Sequence, residues 1–228
     1  MFQFNFDIES EVAHFRDPTT HQFMNTFLAP PPHTIIGLIG ACCGFDQEKT
    51  EELTSKIKVG CKTLHLKGFL KDLALMENQR RMTNMPRRRK FLVGPKFRIF
   101  VGSEDKSILE TIRKAIFMPV YTPYLGISDC IAYFRKVSEI DKTEKEKIKS
   151  TDSVVMVDSN TEYWTKIKDP NQITVFTETI TSPTSFEITD NGRKPKEFKR
   201  FLMSVNCNLI FRKKIDGYNI DGENVCLV

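Results

Sequence analysis

Five side chains in this sequence have the chemistry for metal-independent cleavage of a phosphodiester: His33, His65, Lys96, Tyr121 and Tyr124. Such a reaction needs a general acid and base at the scissile phosphate and a cation for the charge that develops. Apart from Tyr121 and Tyr124, these groups are far apart in the chain, so only the fold can bring them together. A single histidine at a helix start is more often structural or phosphate-contacting than catalytic. Other chemistries lack their residues. The four histidines (14, 21, 33, 65) show no metal-ligand spacing with a Cys or another His, so no metal site is expected. Asp152 and Asp158 flank an apolar strand and read as edge residues, not as a carboxylate pair. No phosphate-binding glycine loop, dinucleotide fingerprint or serine elbow occurs, and no cofactor is expected.

The strongest charge signal is local. The chain of 228 residues carries a net charge of +5. Between Asn78 and Ser103 lie Arg80, Arg81, Arg87, Arg88, Arg89, Lys90, Lys96 and Arg98 with no acidic residue, a stretch of +8 that leaves −3 for everything else. A cluster of this density points to a polyanionic partner. The helix start at His33 and Thr34 is a second candidate for phosphate contact, because free N–H groups gather there.

The elements that would hold these groups follow from the pattern. Phe2, Phe4, Phe6 and Ile8 alternate with Gln3, Asn5, Asp7 and Glu9, which predicts a strand with one buried face. Pro30–Pro32 lead into a helix that Gly44 can cap. In it Gly37, Gly40, Ala41 and Gly44 share one face, which implies a close neighbour, either another element or an RNA backbone. Asp46–Lys58 predicts a short second helix through Leu53 and Ile57. Cys61–Met76 reads as a strand re-phased by a bulge at Gly68, and Lys96–Val101 as another. Ser103 is the expected N-cap of a helix with an Ile108, Leu109, Ile112, Ala115 and Ile116 stripe, ended by Pro119. Tyr121–Gly126 is a loop, and Cys130–Val137 a strand.

With the short extra helix set aside, the order is βαββαβ, the ferredoxin-like pattern shared by RNA-recognition folds. The expected fold is α+β: a ferredoxin-like domain over 1–137 with a protruding basic hairpin arm between its second and third strands. A charged linker or short exposed helix follows over 138–150. A β-rich region covers 151–228, with strands at 154–157, 173–180 and 201–211. No stretch is long and apolar enough to span a membrane, and the N-terminus has no basic leader. The six cysteines (42, 43, 61, 130, 207, 226) have no CxxC spacing and read as reduced, mostly buried thiols of a cytosolic protein.

Two segments carry a family resemblance. Phe15-Arg16-Asp17-Pro18 followed by Phe27-Leu28-Ala29-Pro30-Pro31-Pro32-His33-Thr34-Ile35-Ile36-Gly37-Leu38-Ile39-Gly40-Ala41 resembles the opening of the CRISPR-associated Cas-five family of the RAMP superfamily. Tyr121-Thr122-Pro123-Tyr124-Leu125-Gly126-Ile127-Ser128-Asp129-Cys130 is similar to that family's second signature. The resemblance implies a cytoplasmic subunit of a type I Cascade complex in antiviral defence. Such a subunit holds the 5′ handle of the crRNA and joins the large subunit to a backbone subunit of the Cas-seven type. The implied RNA contacts are Arg16, His33, Thr34, Arg80, Arg81, Arg87, Arg88, Arg89, Lys90, Lys96 and Tyr124.

The type I-C branch of the family processes crRNA with a Tyr, Lys and His set in which Lys and His are adjacent. This chain has no Lys-His dipeptide, which favours a non-catalytic subunit of the I-B or I-A kind. The alternative is a metal-independent crRNA-processing endoribonuclease, and a weaker one puts the arm on target DNA near the PAM.

Overall fold

The computed structural model describes residues 1–20, 23–78, 83–172, 176–190 and 192–228, without the side chains of 76–78 and 83–84. The chain opens with β1 (Phe2–Ser10), β2 (Val12–Ala13) and β3 (Phe23–Met24), then α1 (Pro32–Cys43) and α2 (Gln47–Lys56). β4 (Lys58–His65), the pair β5 (Gly68–Asn78) and β6 (Thr83–Val93), β7 (Lys96–Ser103), α3 (Lys106–Phe117) and β8 (Ala132–Arg135) follow. The remainder is β9 (Asp141–Lys142), β10 (Lys145–Thr151), β11 (Val155–Val157), β12 (Tyr163–Ile167), β13 (Phe176–Thr189), β14 (Gly192–Val205), β15 (Cys207–Ile220) and β16 (Glu223–Val225). The class is α+β and mostly β.

The central sheet runs β4-β7-β1-β8, antiparallel throughout, with β9 also paired to β1. Phe4, Phe6 and Ile8 point into the core and are fully buried, each worth about 1.5–3 kcal/mol of transfer free energy. The polar face of β1 is not in water, contrary to the alternation: Gln3, Asn5 and Asp7 are buried as well. The cause is the C-terminal hairpin β15–β16, which covers that side. Asn5 Nδ2 donates to Asp221 at 2.9 Å, and Arg98 of β7 bridges Asp7 at 2.8 Å and Glu223 at 3.2 Å. Asn5 and Asp7 are tolerable there because each has a partner, whereas Gln3 Oε1 is buried without one.

The helices lie on the apolar side. α1 starts with Pro31 as N-cap and Pro32 at its first position, and Gly44 closes it in the left-handed region at φ 70. The cap of α2 is Asp46, whose carboxylate accepts from Lys49 N–H at 2.9 Å. α3 begins two residues later than the pattern implied. Its N-cap is Asp105, while Ser103 is still the last residue of β7. The buried stripe is Leu109, Ile112 and Ile116.

The stretch expected as one bulged strand over 61–76 is two strands in different sheets. β4 ends at His65, and β5 restarts at Gly68 to pair with β6 in register from Gly68↔Val93 to Asn78↔Thr83. β6 also pairs with β2 and, in parallel, with β3. Within the basic segment, Arg87–Lys90 lie on β6 of this second sheet, and Lys96 and Arg98 on β7 of the central one.

The charged stretch 139–149 is not a helix but holds β9 and most of β10. The run 201–211, read as one strand, is broken at Asn206, whose φ of 55 turns the chain from β14 into β15. Phe201, Met203, Val205, Cys207, Leu209 and Phe211 are all buried, but so are Leu202 and Ser204, and Leu209 and Phe211 pack with Leu202 in a second apolar cluster. Phe201, Met203 and Val205 join the same apolar cluster as Phe4, Ile39 and Leu109. Among the described residues no helix is long and apolar enough to cross a membrane. Five of the six thiols are buried and Cys43 is half-buried. Burial pushes those of Cys42 and Cys226 up to about 12.

Candidate nucleic-acid interface

Two sequence signatures far apart in the chain meet in one cleft of about 380 Å³. The first turn of α1 supplies His33 and Thr34, and the next turns supply Gly37 and Ala41. The loop after α3 supplies Tyr121, Thr122, Pro123, Tyr124 and Gly126, and the start of α2 adds Asp46, Gln47 and Thr50. Arg193, the second residue of β14, completes the lining. Tyr121 is 60% and Tyr124 41% exposed, so two aromatic faces are available for stacking.

The glycine face of α1 divides between the two readings the sequence left open. A methyl group on Gly40 would meet Thr50 Oγ1 of α2 at 2.5 Å, and one on Gly44 would meet Val120 at 3.1 Å. Those two glycines serve packing. Gly37 has nothing within 4 Å of where its methyl would lie and opens onto the cleft. Gly126 holds φ 91, and its Cβ would run into the carbonyl of His14. That contact gives the glycine of the second signature a physical reason.

His33 is held, not free. Its Nδ1 lies 3.1 Å from Ser182 Oγ of β13, its Nε2 lies 3.4 Å from Thr34 Oγ1, and its ring meets Phe186 edge-on at 5.6 Å. Burial first, then the charge of Arg193, pushes its pKa down to about 4. The ring is neutral at neutral pH. His65 and Lys96 are not in this cleft. They face each other across β4 and β7, and Lys96 is 3.5 Å from Glu9. The five groups that could cleave RNA are thus divided: His33, Tyr121 and Tyr124 converge, while His65 and Lys96 lie elsewhere. Among the described residues no cluster of His, Cys, Asp and Glu could hold a metal.

The basic strand β6 also divides, by the two-residue period. Lys90 and Arg88 share a face with Lys71 of the partner strand. Lys90 Nζ sits 4.0 Å over the ring of Phe69. Arg88 is exposed and has no ion pair among the described residues. The opposite face carries Arg87 and Arg89. Arg89 is tied to Asp72 at 2.8 Å and to Asp129 at 3.9 Å, and lies 5.2 Å over Phe91. Asp72 lies outside the acid-free window of the sequence, and the β5–β6 register brings it opposite Arg89. Arg80 and Arg81 lie outside the described residues. Arg16 is exposed, in an isolated bridge with Thr26. Arg193 was missed by the sequence reading. Its signal was available, since residues 192–200 hold five basic residues and one acid.

A family model described as CRISPR-associated protein (Cas_Cas5) matches residues 5–190. The chain belongs to this Cas5 family of CRISPR-associated proteins. No curated protein matches the sequence. Among solved structures, a CRISPR protein from Archaeoglobus fulgidus is 14% identical, with a TM-score of 0.60 over 99% of this chain and 98% of that one. A chain of a CRISPR RNA-guided surveillance complex is 14% identical, with a TM-score of 0.56 over 92% of this chain and 91% of that one. Both likenesses establish a shared fold.

Proposed function

We propose that this protein is a non-catalytic RNA-binding subunit of a type I Cascade complex that holds the 5′ handle of the crRNA. The observation that carries this reading is the convergence of the two signature segments, His33–Thr34 and Tyr121–Tyr124, in one cleft with Arg193. Residues 1–137 serve as the ferredoxin-like RNA-binding domain, with β5–β6 as its arm. Residues 138–150 are the charged connection, and 151–228 the β-rich region packed on it. Arg88 and Lys90 supply phosphate contacts from the arm, with Arg80, Arg81 and Arg87 in the same run. Arg16, Thr34 and Tyr124 add contacts nearer the cleft. His33 positions the helix start, because both its ring nitrogens are engaged. Lys96 and Arg89 have structural partners, and we assign them supporting roles. The expected partners beyond crRNA are a backbone subunit of the Cas-seven type and the large subunit.

The test is fluorescence anisotropy of the full chain with a labelled single-stranded repeat RNA, titrated against salt. About four phosphate contacts give a log–log slope of roughly −3. Arg88→Gln with Lys90→Gln should make the slope shallower by about one. A slope near zero for the wild type sinks the proposal. Incubation of the same RNA in EDTA covers the nuclease alternative: a single cleavage lost in His33→Ala would replace the non-catalytic reading.

A further inference from the structure

A second basic element faces the same cleft. β13 and β14 form a hairpin of two 14-residue strands. Its inner half is core: Ile180, Phe201, Met203 and Val205 are buried. Its outer half is not, and almost every residue from Arg193 to Phe198 is exposed. Charge is concentrated on one strand there. Arg193, Lys194 and Lys196 have no ion pair among the described residues, whereas Lys199 is paired with Glu197 at 2.6 Å. Glu187 stands opposite Lys194 in the register and Glu197 follows Lys196, yet neither closes an ion pair with them, and exposed unpaired cations suit a polyanion partner.

This hairpin is anchored beside the cleft. Phe186 N–H donates to Glu51 Oε1 of α2 at 2.8 Å, and Ser182 Oγ meets His33 Nδ1 of α1 at 3.1 Å. Arg193 stacks its guanidinium 5.1 Å over Phe186 and lines the cleft together with Tyr121 and Tyr124. A cation laid on an aromatic ring, beside two exposed tyrosines, suits a single strand, whose bases stack while its phosphates pair.

We infer that the β13–β14 hairpin is a second RNA-binding arm, which carries a single strand of RNA out of the cleft along Arg193, Lys194 and Lys196. The inference rests on the proposed RNA role of the cleft and adds an element in the C-terminal half. It distinguishes two populations of contacts, one on β6 and one on β14, that should be separable by mutation.

The experiment uses the full chain and a fluorescein-labelled 20-nucleotide oligouridine, with anisotropy read across salt concentrations. Arg193→Gln, Lys194→Gln and Lys196→Gln together remove three contacts, so the slope should become shallower by about two. Lys213→Gln with Lys214→Gln, remote on β15, removes two charges and should leave the slope at the wild-type value. Loss of slope in the β14 variant, with none in the Lys213, Lys214 control, supports the second arm. Loss only in the Arg88→Gln, Lys90→Gln variant overturns the second arm and leaves the first reading standing. Equal loss in the Lys213, Lys214 control reduces the effect to net charge and overturns the inference. Absence of binding by the wild type overturns both readings. As a check independent of variant folding, 4-thiouridine placed along the oligonucleotide should crosslink to the wild-type peptide containing 186–198. Crosslinks confined to other peptides overturn the second arm.

Discussion

Arg89 and Asp72 face each other across the β5–β6 hairpin, with 2.8 Å between Nη2 and Oδ2. Arg88, one residue earlier, points to the other face and meets no acid among the described residues. Neighbours in a strand thus have opposite tasks: one knits the hairpin, the other is left for a partner.

Substitution should separate those tasks. Arg89→Ala leaves Asp72 without its cation in a partly covered site, and stability should fall by about 1–2 kcal/mol. Arg88→Ala should change stability by less than about 0.5 kcal/mol while weakening RNA binding. Urea unfolding paired with anisotropy titration of each variant checks this. Equal effects of the two substitutions on both readouts would dissolve the distinction.

Two glycines on α1 should respond with opposite signs. Gly37→Ala adds a methyl into open space, so helix propensity alone acts, raising stability by up to about 1 kcal/mol. The same methyl narrows the cleft, so RNA affinity should drop. Gly40→Ala drives a methyl to 2.5 Å from Thr50 Oγ1, whose hydroxyl already donates to Asp46 O at 2.7 Å. Overpacking there should cost about 1–3 kcal/mol. Thermal melts of the two variants decide it, and a destabilised Gly37→Ala would mean the cleft is closed in solution.

The central sheet and helices were legible because each rests on local periodicity or a cap. Pro32 and Gly44 bracket α1, and Phe4, Phe6 and Ile8 mark β1, without help from distant chain. What alternation could not reveal is a second layer. Asp7 is buried by β15–β16, more than two hundred residues later in the chain, and no pattern within β1 announces it. The break at Asn206 was hidden for a related reason: the apolar two-residue period of the sequence runs on through the turn, although the residues on its two sides serve different apolar clusters. For the cleft, His33, Thr34 and Tyr124 were found from type and position, but Arg193 reaches it only through the β13–β14 pairing.

His33 should leave a mark on the pH dependence of stability. Its folded pKa is about 4, below its ordinary value of 6.5. A depressed histidine favours folding fully above pH 6.5. As pH falls below that, the unfolded chain binds a proton that the folded one refuses. The contribution then declines and levels off below about pH 4. The full span is at most about 3 kcal/mol. His14 is shifted in the same direction, chiefly by burial, and adds to the loss as pH falls below 6.5. The clean observable is the stability difference between the wild type and His33→Gln, which should shrink as pH is lowered from 7 to 4.5. A difference that stays constant over that range would mean His33 titrates as if in water.

The ionic cluster beneath the C-terminal hairpin should be the costliest polar feature to break. Lys62 Nζ lies 3.2 Å from Asp152 and 3.0 Å from Glu223, with its side chain only 11% exposed. Asp152, taken from the sequence for an edge residue, is 13% exposed and also meets Lys168 at 2.5 Å. Removing Lys62 leaves Asp152 with Lys168 alone and Glu223 with Arg98 alone in a covered site, so Lys62→Met should cost about 1–3 kcal/mol. Lys168 is 37% exposed, and its loss leaves Asp152 still paired, so Lys168→Met should cost less than about 1 kcal/mol. If the cluster acts as a unit, Lys62→Met with Glu223→Gln should be less damaging than the sum of the two alone, because the second change removes the charge that the first exposes. Urea unfolding of the three variants measures this directly, and strict additivity would show that Lys62 and Glu223 are neighbours without coupling.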